Sequence, residues 1–186
     1  MTHEKFHIAL IGAGRAGMIH ARNFKTSVPY ACITAVCDPV GNAAAEAAKE
    51  LELDKAYTDY HDVMADDTID AVIIATPTKF HCEIAIAAAN AKKHILCEKP
   101  MAMTVEECDR MERAARDNGV KLQIAFMRRF DRSFAEAKRM IDAGSIGDVV
   151  MVRSNTRGPS IPKPWMYDIS KSNGPLAEVN SHDIDT

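Results

Sequence analysis

The chain has 186 residues, 47% hydrophobic and 26% charged, which is enough for one full core and the start of a second. A net charge of -3 and a pI near 6.2, with no Lys/Arg cluster longer than two residues, provide no basic stripe for nucleic acid. The longest apolar runs, such as AVIIA at 71–75, are too short to cross a bilayer, and MTHEKFHIALIG lacks the long apolar region and cleavage site of a secretory signal. A cytoplasmic protein without membrane partners is therefore expected.

In chain order, short β-rich runs alternate with alanine-rich helical ones. FHIALI (6–11), ITAVC (33–37), DAVIIA (70–75), HILCE (94–98) and KLQIA (121–125) are near-continuous apolar strands, the pattern of a parallel sheet buried on both faces. Helical stretches fall at 15–26, 41–51, 78–91 and 104–118. Thr104 and Glu107 form a capping box that opens the last of these, and Asn118-Gly119 closes it. This alternation implies right-handed crossovers and an α/β fold with a doubly wound parallel sheet, a domain expected over residues 1–125.

From residue 126 the pattern changes, and residues 126–186 read as the incomplete start of a second, α+β domain. DRSFAEAKRMIDAG (131–144) is one amphipathic helix with Phe134, Ala137, Met140 and Ile141 on its apolar face and Gly144 as a stop. DVVMVRSNTR (148–157) follows as an expected strand. GPSIPKPW then carries Pro159, Pro162 and Pro164, which excludes regular structure and suggests a loop crossing a site. In GPLAEVNSHDIDT (174–186), regular helical spacing sets Glu178, His182 and Asp185 at i, i+4 and i+7 on one face.

The five cysteines (32, 37, 82, 97 and 108) include no CxxC pair and read as reduced, mostly structural thiols. Cys97 stands apart because it directly precedes Glu98 and Lys99, although no nearby base is evident. No group of His, Cys, Asp or Glu shows the spacing of metal ligands, so no metal is expected.

The strongest single motif is IGAGRAGMIHA. Gly12, Gly14 and Gly17 form GxGxxG directly after a strand and directly before a helix. Gly12 allows the tight turn, Gly14 lets a diphosphate approach the backbone, and Gly17 lets helix pack on strand. Asp38 stands at the end of the second strand, about twenty residues further on, where a carboxylate accepts hydrogen bonds from ribose hydroxyls. That carboxylate would repel a 2'-phosphate, and no cation follows until Lys49, so NAD is favoured over NADP.

Thr76-Pro77 and Glu98-Lys99-Pro100 end two further strands, at the edge where doubly wound sheets place ligands. Taken together, GAGRAGMIHA, ATPTKFH, CEKP, FMRRFD and SHDID resemble the Gfo/Idh/MocA oxidoreductases, most of all their inositol dehydrogenases, from residue 6 to the end of the chain. The resemblance implies roles that the residues alone do not define. Lys99 matches the family's active-site lysine and His182 its catalytic histidine. Thr76 and Pro77 match positions beside the nicotinamide ribose, and Arg15, Ala16, His81 and Glu98 join the cofactor-binding set. By residue type alone, His81 reads as structural, as do His20, His61 and His94. The carboxylate partner of the catalytic histidine, commonly Asp, is Glu178 here, one methylene longer.

The chemistry of these residue types agrees with the resemblance. Oxidation of a secondary alcohol needs a hydride acceptor and a base in reach of the hydroxyl. His182 suits the base, and Lys99 suits a donor to the developing alkoxide. Arg129, Asn155, Arg157, Trp165 and Asp185 are candidate contacts to a polyol or sugar, which needs several hydrogen bonds and stacks on aromatic faces. The resemblance also implies a large open sheet after the terminal helix, as substrate wall and oligomer interface. The expectation is therefore an NAD-dependent inositol or sugar dehydrogenase, a homo-oligomer when whole, represented by a fragment inactive as it stands. Two alternatives are an NAD-dependent glycosidase of the same fold and a non-catalytic NAD-binding protein.

Overall fold

Alternating side chains along the first strand explain the architecture. In the computed structural model, which describes residues 5–156, 164–169, 171–174 and 176–185, strand β1 (Phe6–Ile11) sends Ile8 and Leu10 to one apolar layer and Ala9 and Ile11 to another. Both sets are buried, which is why the run shows no polar alternation. Truncating Leu10, which is fully buried, would cost about 2–5 kcal/mol.

Around β1 the chain winds twice. Helix α1 (Arg15–Ser27), strand β2 (Ala31–Cys37), helix α2 (Ala43–Leu51) and strand β3 (Lys55–Tyr57) extend the sheet in one direction. Helix α3 (Tyr60–Ala65) leads back to strand β4 (Ala71–Ile74) on the other side of β1. Helix α4 (His81–Asn90), strand β5 (His94–Cys97), helix α5 (Val105–Asn118) and strand β6 (Leu122–Ile124) continue outward. The order β3-β2-β1-β4-β5-β6 is parallel throughout, so the doubly wound sheet is present, with its topological switch between β1 and β4. The layer with Leu10 contains Met18 and Ala21 of α1 and Ala47 and Leu51 of α2. The layer with Ile11 contains Val63 of α3, Ile84 and Ala88 of α4 and Met111 of α5.

Two elements escaped the sequence reading. β3 is only three residues long, and α3 is a single short helix capped by Asp59, whose carboxylate accepts the His61 N–H at 2.9 Å. Neither is long enough to show a period. The capping box of α5 is real but displaced. Thr104 Oγ1 accepts the Glu107 N–H at 3.2 Å, whereas Glu107 reaches back to the N–H of Met103 at 2.9 Å rather than to that of Thr104. Gly119 ends the helix with φ 68°, a left-handed conformation that suits glycine.

Residues up to Ile124 form one compact unit and those from Ala125 a second. In the second, Asp131 caps helix α6 (Arg132–Asp142) by accepting the N–H groups of Ser133 at 2.9 Å and Phe134 at 3.3 Å. The expected strand at 148–157 is not formed over its described residues, 148–156, which have no regular structure. A strand needs a partner for its backbone groups, and every described strand belongs to the first unit's sheet. The terminal segment also departs from regular spacing. Leu176–Asn180 is a π-helical turn, and only Ser181–Asp185 (α7) is α-helical. Within the wider turn the 3.6-residue period does not hold, whereas His182 and Asp185, three residues apart inside α7, keep it.

Candidate dinucleotide and active site

The site in the first unit is assembled at the carboxyl ends of β1, β2, β4 and β5. Gly12 leaves β1 with φ 101°, and a Cβ there would stand 2.6 Å from the Ala75 carbonyl oxygen. A Cβ on Gly17 would stand 2.0 Å from the Gly12 carbonyl oxygen, so only glycine lets α1 start this close to the strand. Gly14 has open space where its Cβ would be. It caps α1 without a side chain, no acidic residue lies in the first turn, and Gly14, Arg15 and Ala16 are exposed. An anion can therefore approach the free N–H groups of this helix end.

Asp38, half-buried after β2, is held by the loops it borders. Its carboxylate accepts the Ala13 N–H at 2.8 Å and the Val40 N–H at 2.9 Å. A carboxylate has about four acceptor positions, so lone pairs remain for a diol. Just beneath, burial and the Asp38 charge push the Cys37 thiol up to about 12, which keeps it an inert core group. Cys97 is fully buried and also raised, chiefly by desolvation, which removes it from the list of reactive candidates.

After β4, Thr76 Oγ1 is buried and has no hydrogen-bond partner in the structure. After β5, Glu98 and Lys99 are partly buried, and Lys99–Pro100 is cis. Glu98 joins two elements: Oε1 lies 2.7 Å from His20 Nε2 on α1, and Oε2 accepts the Lys99 N–H at 3.0 Å. Burial pushes the Glu98 carboxyl up, but the hydrogen bond and charge of His20 and the Lys99 N–H outweigh it, so its pKa falls below the ordinary value. The sequence reading set His20 aside, although a helix beginning at Arg15 carries it one turn beyond Gly17.

His81 is not placed as a direct cofactor contact. Its ring is buried, with Nδ1 2.9 Å from the Pro100 carbonyl oxygen and Nε2 2.9 Å from that of Thr76. Both nitrogens are thus occupied by the backbone of the site rather than presented to a ligand.

In the second unit, His182 lies partly buried on α7 with Phe126 edge-on to its ring, centroids 6.4 Å apart at 89°. Glu178 is buried in the π turn. Two of the candidate polyol contacts bind each other: Arg129 grips Asp185 with Nε at 2.9 and 3.0 Å and Nη2 at 2.7 Å. Asn155 is exposed in irregular chain, Arg157 lies outside the described residues, and so does the side chain of Trp165.

Asp183 was not among the candidate residues, yet four side chains converge on it. It accepts from Arg128 Nη1 at 2.6 Å, Ser154 Oγ at 2.6 Å, Thr156 Oγ1 at 2.5 Å and Asn180 Nδ2 at 3.2 Å. The two hydroxyls and the guanidinium hold its carboxyl well below the usual range. Its position between His182 and Ile184 was the only available signal. Among the described residues, no group of three or more His, Cys, Asp or Glu could hold a metal ion.

A parallel sheet of this order, with a GxGxxG turn after its first strand and a carboxylate after its second, defines a Rossmann-type dinucleotide-binding domain. Residues 6–126 match the Gfo/Idh/MocA model, "Oxidoreductase family, NAD-binding Rossmann fold", and residues 134–186 match a GFO/IDH/MocA C-terminal domain. The chain belongs to the Gfo/Idh/MocA oxidoreductase family, and its first unit is that family's NAD-binding domain. It is 41% identical over 185 residues to the scyllo-inositol 2-dehydrogenase (NAD(+)) of Bacillus subtilis strain 168, covering 100% of this chain and 53% of that protein. Against the Myo-inositol 2-dehydrogenase of Thermotoga maritima it is 38% identical over 178 residues, covering 96% and 52%. The crystal structure of scyllo-inositol dehydrogenase from Lactobacillus casei, with bound NAD(H) and scyllo-inositol, superposes with a TM-score of 0.74 at 36% identity, over 78% of this chain and 43% of that one. The chain thus spans about half the length of the curated relatives it matches.

Proposed function

We propose that the protein to which these residues belong is an NAD-dependent dehydrogenase that oxidises a secondary alcohol of an inositol or a related sugar. The observation that carries the reading is the grouping of the open glycine turn, the Asp38 carboxylate, the unpartnered Thr76 hydroxyl and the Glu98-Lys99 turn at the ends of four adjacent strands. Its kinship with inositol dehydrogenases supports the substrate class.

Gly14, Arg15 and Ala16 would hold the diphosphate by their N–H groups, Asp38 the adenosine ribose, and Thr76 and Pro77 the nicotinamide end. The bound nicotinamide supplies the hydride acceptor. Lys99 donates a hydrogen bond to the substrate oxygen and stabilises it as negative charge develops. His182 takes the hydroxyl proton at one ring nitrogen, with Glu178 as its supporting carboxylate. Phe126 limits water on one side of that imidazole. Arg129 and Asp185, paired with each other, offer further donors and acceptors to a ring of hydroxyls.

The reading is tested by incubating the purified protein with NAD and a panel of inositols, sugars and glycosides while following NADH. NADH formation with an inositol is the expected result once the chain is extended to the length of its relatives, whereas the 186 residues alone are expected to bind NAD without turnover. Release of a glycosidic leaving group without net NADH would establish the glycosidase alternative. NAD binding by that extended chain with no reaction on any member of the panel would favour a non-catalytic protein.

A further inference from the structure

The paired region of β4 and β5 ends at Ile74 and Cys97, followed by one more bond, from the Glu98 N–H to the Ile74 carbonyl at 2.9 Å. Beyond it the chains diverge into the turns that carry Thr76-Pro77 and Lys99-Pro100. The His81 ring fills the space between them, 1% exposed, with a nitrogen 2.9 Å from a carbonyl oxygen on each side. His81 is also the first residue of α4, so its backbone is anchored by a helix packed on the sheet.

We propose that His81 is a positioning residue that spans the two turns and sets the separation between the Thr76 side of the site and Lys99. This rests on the dehydrogenase reading only for the roles of those turns, not for the span itself. A carbonyl oxygen only accepts, so to hold both turns the ring must donate from both nitrogens, each carrying a proton, in divergent directions from a rigid frame. Water cannot replace either contact at this burial, so loss of one leaves a carbonyl unsatisfied and its turn free to relax. A phenyl ring of similar size would fill the space and hold neither turn.

Two substitutions divide the ring's function. His81→Asn keeps a donor near the Nδ1 position, and His81→Gln keeps one near Nε2. In cofactor-free protein, His81→Asn should displace the amide resonances of Thr76 and Thr78 and spare those of Lys99 and Met101, while His81→Gln should do the reverse. Calorimetric titration should then show NAD affinity about tenfold weaker in His81→Asn and within about threefold of the parent in His81→Gln, the size of effect expected of one buried hydrogen bond.

Identical patterns in the two variants, or unmoved amides in both, would overturn the proposal, since simple loss of packing does not discriminate between the turns. The unaltered protein gives an independent reading: both ring N–H protons of His81 should be observed and exchange slowly with solvent, and a single ring N–H or rapid exchange would overturn the proposal. If the parent fails to bind NAD while the amide pattern holds, the functional reading falls and the span stands.

Discussion

Asp38 has two tasks, and its removal should show both. Asp38→Ala deletes the acceptor of the Ala13 and Val40 N–H groups, a loss of about 1–3 kcal/mol of stability, and also the acceptor for ribose hydroxyls. The expected outcome in calorimetry is NAD binding at least tenfold weaker with a reduced preference over NADP. Equal binding of both dinucleotides by the parent would contradict the assignment. Lys99→Met, in a chain extended to the length of its relatives, should lower kcat by about a hundredfold or more and leave NAD affinity within a few fold, because the ammonium acts on the reacting oxygen. Near-normal kcat would remove Lys99 from the chemistry. Gly12, Gly17 and Asp38 were legible in the sequence because their spacing is set by local backbone geometry. His20 and Asp183 were not, since their partners lie 78 and up to 55 residues away.

Contacts between elements account for the next set of expectations. Gly17→Ala places a Cβ 2.0 Å from the Gly12 carbonyl oxygen, between α1 and β1. Backbone cannot yield as a flexible side chain does, so the cost should reach about 3 kcal/mol, seen as a lower midpoint of denaturant unfolding together with weakened NAD binding. Around β3, Asp66 accepts from Lys55 Nζ at 2.5 Å, Thr68 Oγ1 at 2.7 Å and Tyr57 Oη at 2.9 Å, and its carboxyl is held well below the ordinary value, chiefly by Lys55 and Thr68. A pKa depressed in the folded state adds stability above the unfolded value, near 4, and that stability is lost as pH falls below it. Asp66→Asn should therefore flatten the acid limb of the stability profile between about pH 5 and 2 relative to the parent. An unchanged acid limb would show that Asp66 does not contribute. The strands β1, β2, β4 and β5 were readable as apolar runs. So was β6, whereas β3 was not, because Lys55, Ala56 and Tyr57 form no apolar run and owe their place to pairing with β2, and α3, six residues long, is too short to show a period.

For the molecule as a whole, the first unit has an uninterrupted six-stranded sheet and two apolar layers, so residues 1–124 alone should fold and bind NAD. In the second unit, Val150 is 96% exposed, and Met151 and Val152 nearly as much, in chain without regular structure. Apolar chain of this kind favours association. Hydrogen exchange at residues 149–152 is expected to be fast in dilute solution and to slow as protein concentration rises. Slow exchange that is independent of concentration would refute self-association there. The doubly wound parallel sheet, the glycine turn, the place of Asp38 after the second apolar strand and the inositol-dehydrogenase resemblance all followed from the sequence, because each rests on local periodicity, backbone conformation or motif spacing. Tertiary structure alone decided that His81 is buried between two carbonyls, that Glu98 ties α1 to Lys99, that Arg129 and Asp185 hold each other, and that Asp183 gathers four side chains. Each of these depends on which distant atoms meet once apolar layers have set the elements in place, and no spacing along the chain encodes that.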